Sequence, residues 1–144
     1  KRADFTIMTV KALGFEADFT DNFSDVKQDA YYYNSVGIAK KLEIVKGTGE
    51  FFNPEGNITR QDIMVIMLKA LEAKGITYDK DGIDYLARYS DRNQISDYAK
   101  DAVAFLTKLG IVQGYDGKFN PKQYATRAEI AVILQNVLDK VFQQ

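Results

Sequence analysis

The sequence predicts an all-α protein made of repeated helix-loop-helix units. Three observations predict it. First, a shift of 67 positions lays GIVQGYDGKFNPKQYATRAEI (110–130) over EIVKGTGEFFNPEGNITRQDI (43–63). Ile44/Ile111, Val45/Val112, Gly47/Gly114, Phe52/Phe119, Asn53/Asn120, Pro54/Pro121, Thr59/Thr126 and Arg60/Arg127 are identical, and both prolines of the chain share one repeat position. Second, a shift of 58 lays KRADFTIMTVKAL (1–13) over TRQDIMVIMLKAL (59–71). Third, the repeated stretches alternate between apolar segments of helical spacing and loops rich in Gly, Asn and Pro.

The chain therefore divides into the tail of one unit (1–18), a whole second unit (19–75) and a whole third unit (76–144). Ile76 to Arg88 has no counterpart in the second unit and reads as an insertion carrying a short helix over 81–88. The match extends upstream through Tyr31/Tyr98. With a one-residue gap it reaches FSD (23–25) against YSD (89–91).

Each whole unit opens with a first helix, predicted over 30–43 and 97–109, where Tyr98, Ala102, Val103, Leu106 and Leu109 share one face. The loops 47–58 and 114–125 follow, with turn-forming residues and room for a short strand at Lys118–Asn120. The second helices are predicted over 60–73 and 127–141, with 2–13 as a third copy. Ile63 to Leu68 and Ile130 to Leu134 are apolar without interruption, and a helix apolar all round belongs in an interior. Three such helices predict a shared centre that no unit completes alone.

Composition removes several function classes. At 46% hydrophobic and 27% charged residues the chain has the material for a core, and a net charge of −1 gives no basic face for nucleic acid. There is no cysteine and no histidine, hence no disulfide, thiolate zinc site or histidine catalysis. The run Ile63–Leu68 is far too short to span a membrane. No Walker, Rossmann or nucleophile-elbow pattern is present, so no enzyme and no cofactor is expected. Asp79-Lys80-Asp81-Gly82 has the wrong spacing for a calcium loop and reads as a turn, so no metal site is expected.

The starts of the second helices carry the most information. Thr59 with Asp62, and Thr126 with Glu129, fit capping boxes, in which the threonine accepts from a helix N–H and the acid reaches back to the cap. Lys1 occupies the cap position of the partial unit, which lacks this device. Arg2, Arg60 and Arg127 then stand in the first turn, where the helix dipole opposes a cation. Two roles remain open for them. Each guanidinium ties a carboxylate or backbone carbonyl of a neighbouring unit, or each points into a cleft and binds an anion at a helix start.

FSDVKQDAYYYNSVGIAKKLEIVKGTGEFFNPEGNITRQDIMVIMLKALEAKG and YSDRNQISDYAKDAVAFLTKLGIVQGYDGKFNPKQYATRAEIAVILQNVL both resemble surface-layer homology repeats. Phe-x-Asp, an aromatic opening the first helix, Gly-Ile-x-x-Gly, Phe-x-Pro and Thr-Arg-Ala-Glu recur in register across essentially the whole chain. The resemblance implies a pseudo-threefold helical bundle with grooves between repeats, acting as a non-catalytic anchor on the surface of a Gram-positive bacterium. The implied partner is a secondary cell-wall polysaccharide ending in a pyruvylated N-acetylmannosamine, whose carboxylate would meet the arginines.

Residue by residue, Arg2, Arg60 and Arg127 match the motif arginine, and Asp25 and Asp91 match the early aspartate. Gly47 and Gly114 match the second glycine of Gly-Ile-x-x-Gly, where sugar or backbone approaches closely. Tyr31 and Tyr98 stand where the family often has tryptophan, as stacking platforms or as half-buried core residues. Departures are Glu43-Ile44 for Gly-Ile, Thr59-Arg60-Gln61-Asp62 for Thr-Arg-Ala-Glu, and Asp91-Arg92 without the usual valine. The front half of the first unit is absent from the sequence, so a groove needing it would be completed by a second chain or left open. The competing function is a helical protein-interaction or self-assembly module in which the arginines serve packing.

Overall fold

The computed structural model describes residues 1–78 and 80–142, with side chains described for 1–78 and 84–142. Among them are five α-helices: α1 (Arg2–Ala12), α2 (Tyr33–Lys41), α3 (Arg60–Ala73), α4 (Lys100–Lys108) and α5 (Arg127–Val137). No strand forms among the described residues, so the all-α expectation holds. The chain separates into two compact units, Lys1–Ile58 and Thr59–Gln144. The boundary falls at the start of a second helix, not between sequence repeats. Each unit therefore joins a second helix to the front half of the repeat that follows it.

In the first unit α1 packs on α2, with Ala3, Phe5, Val10, Val36 and Ala39 buried. Gly37 brings α2 close to Phe19, since a Cβ there would meet the Phe19 ring at 2.2 Å. In the second unit α3 packs on α4, with Ile63, Met64, Met67, Leu71, Val103 and Leu106 buried. The predicted first helices begin later than the sequence suggested. Residues 28–32 form turns before α2, and a 3-10 turn at Asp97–Ala99 precedes α4. In both cases the tyrosine at the predicted start lies outside the α-helix.

The insertion forms a 3-10 helix over Lys80–Arg88 that packs against α4. The turn reading of Asp79–Gly82 begins outside the described residues. The strand considered at Lys118–Asn120 is a single antiparallel bridge, Tyr115 to Lys118, closing a tight turn with Asp116 and Gly117 both at positive φ. Thr48 and Phe51 make the equivalent bridge in the first unit.

One packing expectation fails. The apolar run of α5 is buried only on one side, at Ile130, Ile133 and Leu134, while Ala131 and Val132 are exposed, Val132 at 59%. The corresponding α3 residues Met64 and Val65 are buried and half-buried. In the second unit α3 packs against α4.

Candidate functional site

The two units contain the same network, assembled from equivalent residues. It starts with the loop after each first helix. Asp25 accepts the backbone N–H groups of Phe52 at 2.8 Å and Asn53 at 2.7 Å, one on each carboxylate oxygen. Asp91 does the same for Phe119 at 2.9 Å and Asn120 at 2.8 Å. These bonds hold Asn53 (φ 59°) and Asn120 (φ 56°) in the left-handed region, which asparagine tolerates better than most residues. The loop therefore turns sharply after a buried phenylalanine and exposes the carbonyls beyond it.

Those carbonyls cap the neighbouring second helix. The N–H groups of Arg2 and Ala3 donate to Gly56 and Pro54 at 2.8 and 3.0 Å. Those of Arg60 and Gln61 donate to Gln123 and Pro121, both at 2.9 Å. Helix starts otherwise leave such donors unpaired. Thr59 Oγ1 accepts the Asp62 N–H at 3.3 Å, and Thr126 Oγ1 accepts the Glu129 N–H at 3.1 Å. Lys1 makes no side-chain cap, as its sequence position predicts.

This geometry gives the arginines a partner. Arg2 Nε donates to the Phe52 carbonyl at 2.9 Å, and its guanidinium lies 4.7 Å from the centre of the Phe52 ring. Arg60 Nε donates to the Phe119 carbonyl at 2.8 Å, 5.1 Å from the Phe119 ring centre, and its Nη1 pairs with Glu129. Carbonyl and π face together offset the unfavourable dipole. The packing role weighed from the sequence is thus realised at Arg2 and Arg60. Arg127 differs: it is exposed and makes no side-chain hydrogen bond or ion pair among the described residues.

Of the two capping-box acids, Glu129 reaches back, its Oε1 accepting the hydroxyl of its own cap Thr126 at 3.3 Å, whereas Asp62 turns to a tyrosine. Asp4 accepts the Tyr31 hydroxyl at 2.8 Å, Asp62 accepts the Tyr98 hydroxyl at 2.6 Å, and Glu129 takes Arg60. The Tyr31 phenol is held above its ordinary pKa chiefly by the bond to Asp4, and the Tyr98 phenol by partial burial and then by Asp62. Both rings stay outside, 67% and 63% exposed. They are surface residues, not half-buried core tyrosines.

The two glycines serve the turn itself. A Cβ on Gly47 would meet the Phe51 carbonyl oxygen at 2.2 Å and the Phe23 ring at 2.8 Å. A Cβ on Gly114, whose φ is +76°, would meet the Lys118 oxygen at 2.5 Å and the Tyr89 ring at 2.7 Å. The close approach expected at these positions is one of backbone and aromatic ring.

Asp25, Gly47, Tyr31 and Arg2 are thus joined in the first unit, and Asp91, Gly114, Tyr98 and Arg60 in the second. Arg127 stands apart. Sequence reasoning missed Gln61. Its side chain is 96% buried by packing (4% exposed), with Nε2 donating to Ser96 Oγ at 3.0 Å and to Tyr98 Oη at 3.1 Å, and Oε1 accepting the Ser96 N–H at 3.0 Å. The signal available was its status as the departure from the alanine of the motif.

Among the described residues no group of acidic side chains could hold a metal ion, and no helix is long and apolar enough to cross a membrane. Each unit presents an exposed tyrosine ring whose hydroxyl is held by a carboxylate.

A family profile described as the S-layer homology domain matches residues 22–64 and 88–131. An exoglucanase of Acetivibrio thermocellus is 38% identical over 141 residues, covering 96% of this chain and 13% of the relative. The surface-layer 125 kDa protein of Lysinibacillus sphaericus is 28% identical over 145 residues, covering 97% of this chain and 12% of the relative. A cellulosome-anchoring protein of Acetivibrio thermocellus is 33% identical over 109 residues, covering 74% of this chain and 24% of the relative. The chain thus spans less than a quarter of the length of each of these relatives.

Proposed function

The chain belongs to the S-layer homology family, and from that premise we propose that it is a non-catalytic module anchoring a larger protein to the cell wall of a Gram-positive bacterium. Its ligand in this reading is a secondary cell-wall polysaccharide, with a terminal pyruvylated N-acetylmannosamine as the recognised end. The observation that carries the reading is the recurrence of one network in both units: an exposed tyrosine, a helix-start arginine and a loop-fixing aspartate. The match to enzymes and to surface proteins over the same stretch supports a module separate from any catalytic domain.

In this proposal Tyr31 and Tyr98 stack on sugar rings. Arg2 and Arg60 lend positive charge at the helix starts. Asp25, Asp91, Gly47 and Gly114 shape the loop against which the saccharide lies. Arg127, with no partner among the described residues, is the most available cation of the three for a carboxylate.

Co-sedimentation with purified Gram-positive walls tests the function. Retention on native walls and loss on walls stripped of polysaccharide supports the anchor. Equal retention on both, or on neither, contradicts it.

A second reading is favoured by α5. Ala128, Ala131, Val132 and Gln135 are exposed, whereas their α3 counterparts Gln61, Met64, Val65 and Leu68 and their α1 counterparts Ala3, Thr6, Ile7 and Val10 are buried or half-buried. We infer that this face takes a further repeat front half, from the same longer polypeptide or from a second chain. Sedimentation velocity separates the two sources. A concentration-dependent dimer abolished by Val132→Glu supports a second chain, whereas a monomer at all concentrations removes it.

A further inference from the structure

We propose that Asp4 and Asp62 are positioning residues, which hold the rings of Tyr31 and Tyr98 as preset platforms for a pyranose ring. The inference rests on the anchoring function and adds to it the means by which the aromatic surface is fixed. An exposed tyrosine ordinarily exchanges among staggered rotamers, and a ligand that needs one of them bears the ordering cost. Here both ends of each side chain are held. The Cα sits in the turn that leads into the first helix, and the hydroxyl ends on a carboxylate at 2.8 Å (Tyr31 to Asp4) or 2.6 Å (Tyr98 to Asp62). The ring between them remains open to solvent in both units. A flat apolar face with its polar tip already satisfied suits the C–H faces of a sugar.

The carboxylates are themselves fixed. Each lies in the first turn of a second helix, where the dipole favours an anion. In the second unit the anchor is reinforced by Gln61. Its Oε1 accepts the Ser96 N–H, which sets the amide orientation, so Nε2 must face the Tyr98 oxygen. That oxygen accepts from Gln61 and donates to Asp62, and neither bond uses the ring. Residue size follows the same logic. Both helices that hold a tyrosine carry Asp at this position, and the one that reaches an arginine carries the longer Glu129.

A purely structural role would tie the two helices and leave recognition untouched. The experiment is calorimetric titration with polysaccharide released from purified Gram-positive walls, using variants made in both units together. The pairs are Tyr31→Ala with Tyr98→Ala, Tyr31→Phe with Tyr98→Phe, and Asp4→Ala with Asp62→Ala; the Phe and Ala(Asp) changes are then combined. A spectrophotometric titration of the phenols accompanies it, reading whether the Asp changes lower the raised tyrosine pKa values.

The proposal expects the Ala(Tyr) pair to abolish binding, and the Phe pair and the Asp pair each to weaken it about three- to tenfold. It expects the combination to be no weaker than either pair alone, because one bond is lost in all three. The phenols should titrate lower in the Asp pair. Wild-type affinity in the Phe pair, with binding lost in the Ala(Tyr) pair, overturns the positioning role and leaves the anchoring function standing. Additive losses also overturn it, since the acids would then act on the saccharide independently of the rings. Absence of binding by the wild-type protein overturns both.

Discussion

The Nε–H of Arg60 meets the carbonyl of Phe119 at 2.8 Å, and its guanidinium lies 5.1 Å from the centre of the same residue's ring. One arginine thereby fixes both the backbone and the side chain of a residue 59 positions away. Arg2 repeats the relationship with Phe52. A helix-start arginine is costly as a local choice and favourable as a tertiary one.

Arg60→Ala should therefore destabilise the protein by about 1–3 kcal/mol, through a carbonyl left without its charged donor and a lost cation–π contact. Arg60→Lys should recover only part of this, because an ammonium cannot supply a planar fork to the carbonyl and Glu129 together. Arg127→Ala should fall within about 0.5 kcal/mol of wild type, as expected of an exposed residue. Urea denaturation followed by circular dichroism checks all three.

Asp91→Asn should cost about 1.5–3 kcal/mol despite its near-identical shape. Both carboxylate oxygens accept backbone N–H groups, and the amide would turn an NH2 against one of them. The same change at Asp25 should behave alike. Denaturant midpoints of the two variants, compared with the wild type, measure it.

Thr9→Val should stabilise the protein by roughly 1 kcal/mol. Thr9 is 1% exposed and its hydroxyl oxygen has no hydrogen-bond partner, so a methyl in its place removes a desolvated polar group. A lower melting temperature in this variant would mean that the hydroxyl is satisfied in solution.

Stability should be flat between about pH 6 and 9, since the chain has no histidine and its shifted groups titrate at the two extremes. Asp21 and Asp97 are held below the ordinary carboxylate value by hydrogen bonds from Lys40 and Lys100. Their contribution is present above the unfolded pKa and is lost as pH falls through the lower folded one; both are exposed, so it is small. Tyr31, Tyr32, Tyr89 and Tyr98 are held above 10.0. A phenol whose folded pKa is raised contributes fully below its unfolded pKa, and the contribution is lost as pH rises through the folded value. Denaturant midpoints should thus fall above about pH 10. The fall should be smaller in Tyr89→Phe, because burial is the main cause of the shift at Tyr89.

Much of this architecture could be read from the sequence because its signals are local. The threonine caps at Thr59 and Thr126, the uncapped start at Lys1 and the tight turns near Gly47 and Gly114 follow from residues a few positions apart. The partners of Arg2 and Arg60, those of Asp4 and Asp62, and the pairing of Glu129 with Arg60 were not legible. They lie 27 to 69 positions away and depend on which helix packs on which loop. Capping chemistry predicted the direction of Glu129, which reaches Thr126, but not that of the shorter Asp62, which takes the Tyr98 hydroxyl. The apolar run of α5 misled for a related reason. Hydropathy reports what a helix is able to bury, and Val132 stays 59% exposed although the residues around it are apolar.

In the proposed function the paired networks recognise an acidic wall saccharide. The most direct measurement is calorimetric titration with the purified wall saccharide before and after removal of its pyruvate ketal, at several salt concentrations and between pH 6 and 8. The account predicts binding of the intact saccharide, loss of most affinity without the ketal, a modest salt dependence, and an affinity unchanged by pH across that window. Equal affinity for both saccharides, or a steep polyelectrolyte-like salt dependence, would contradict it.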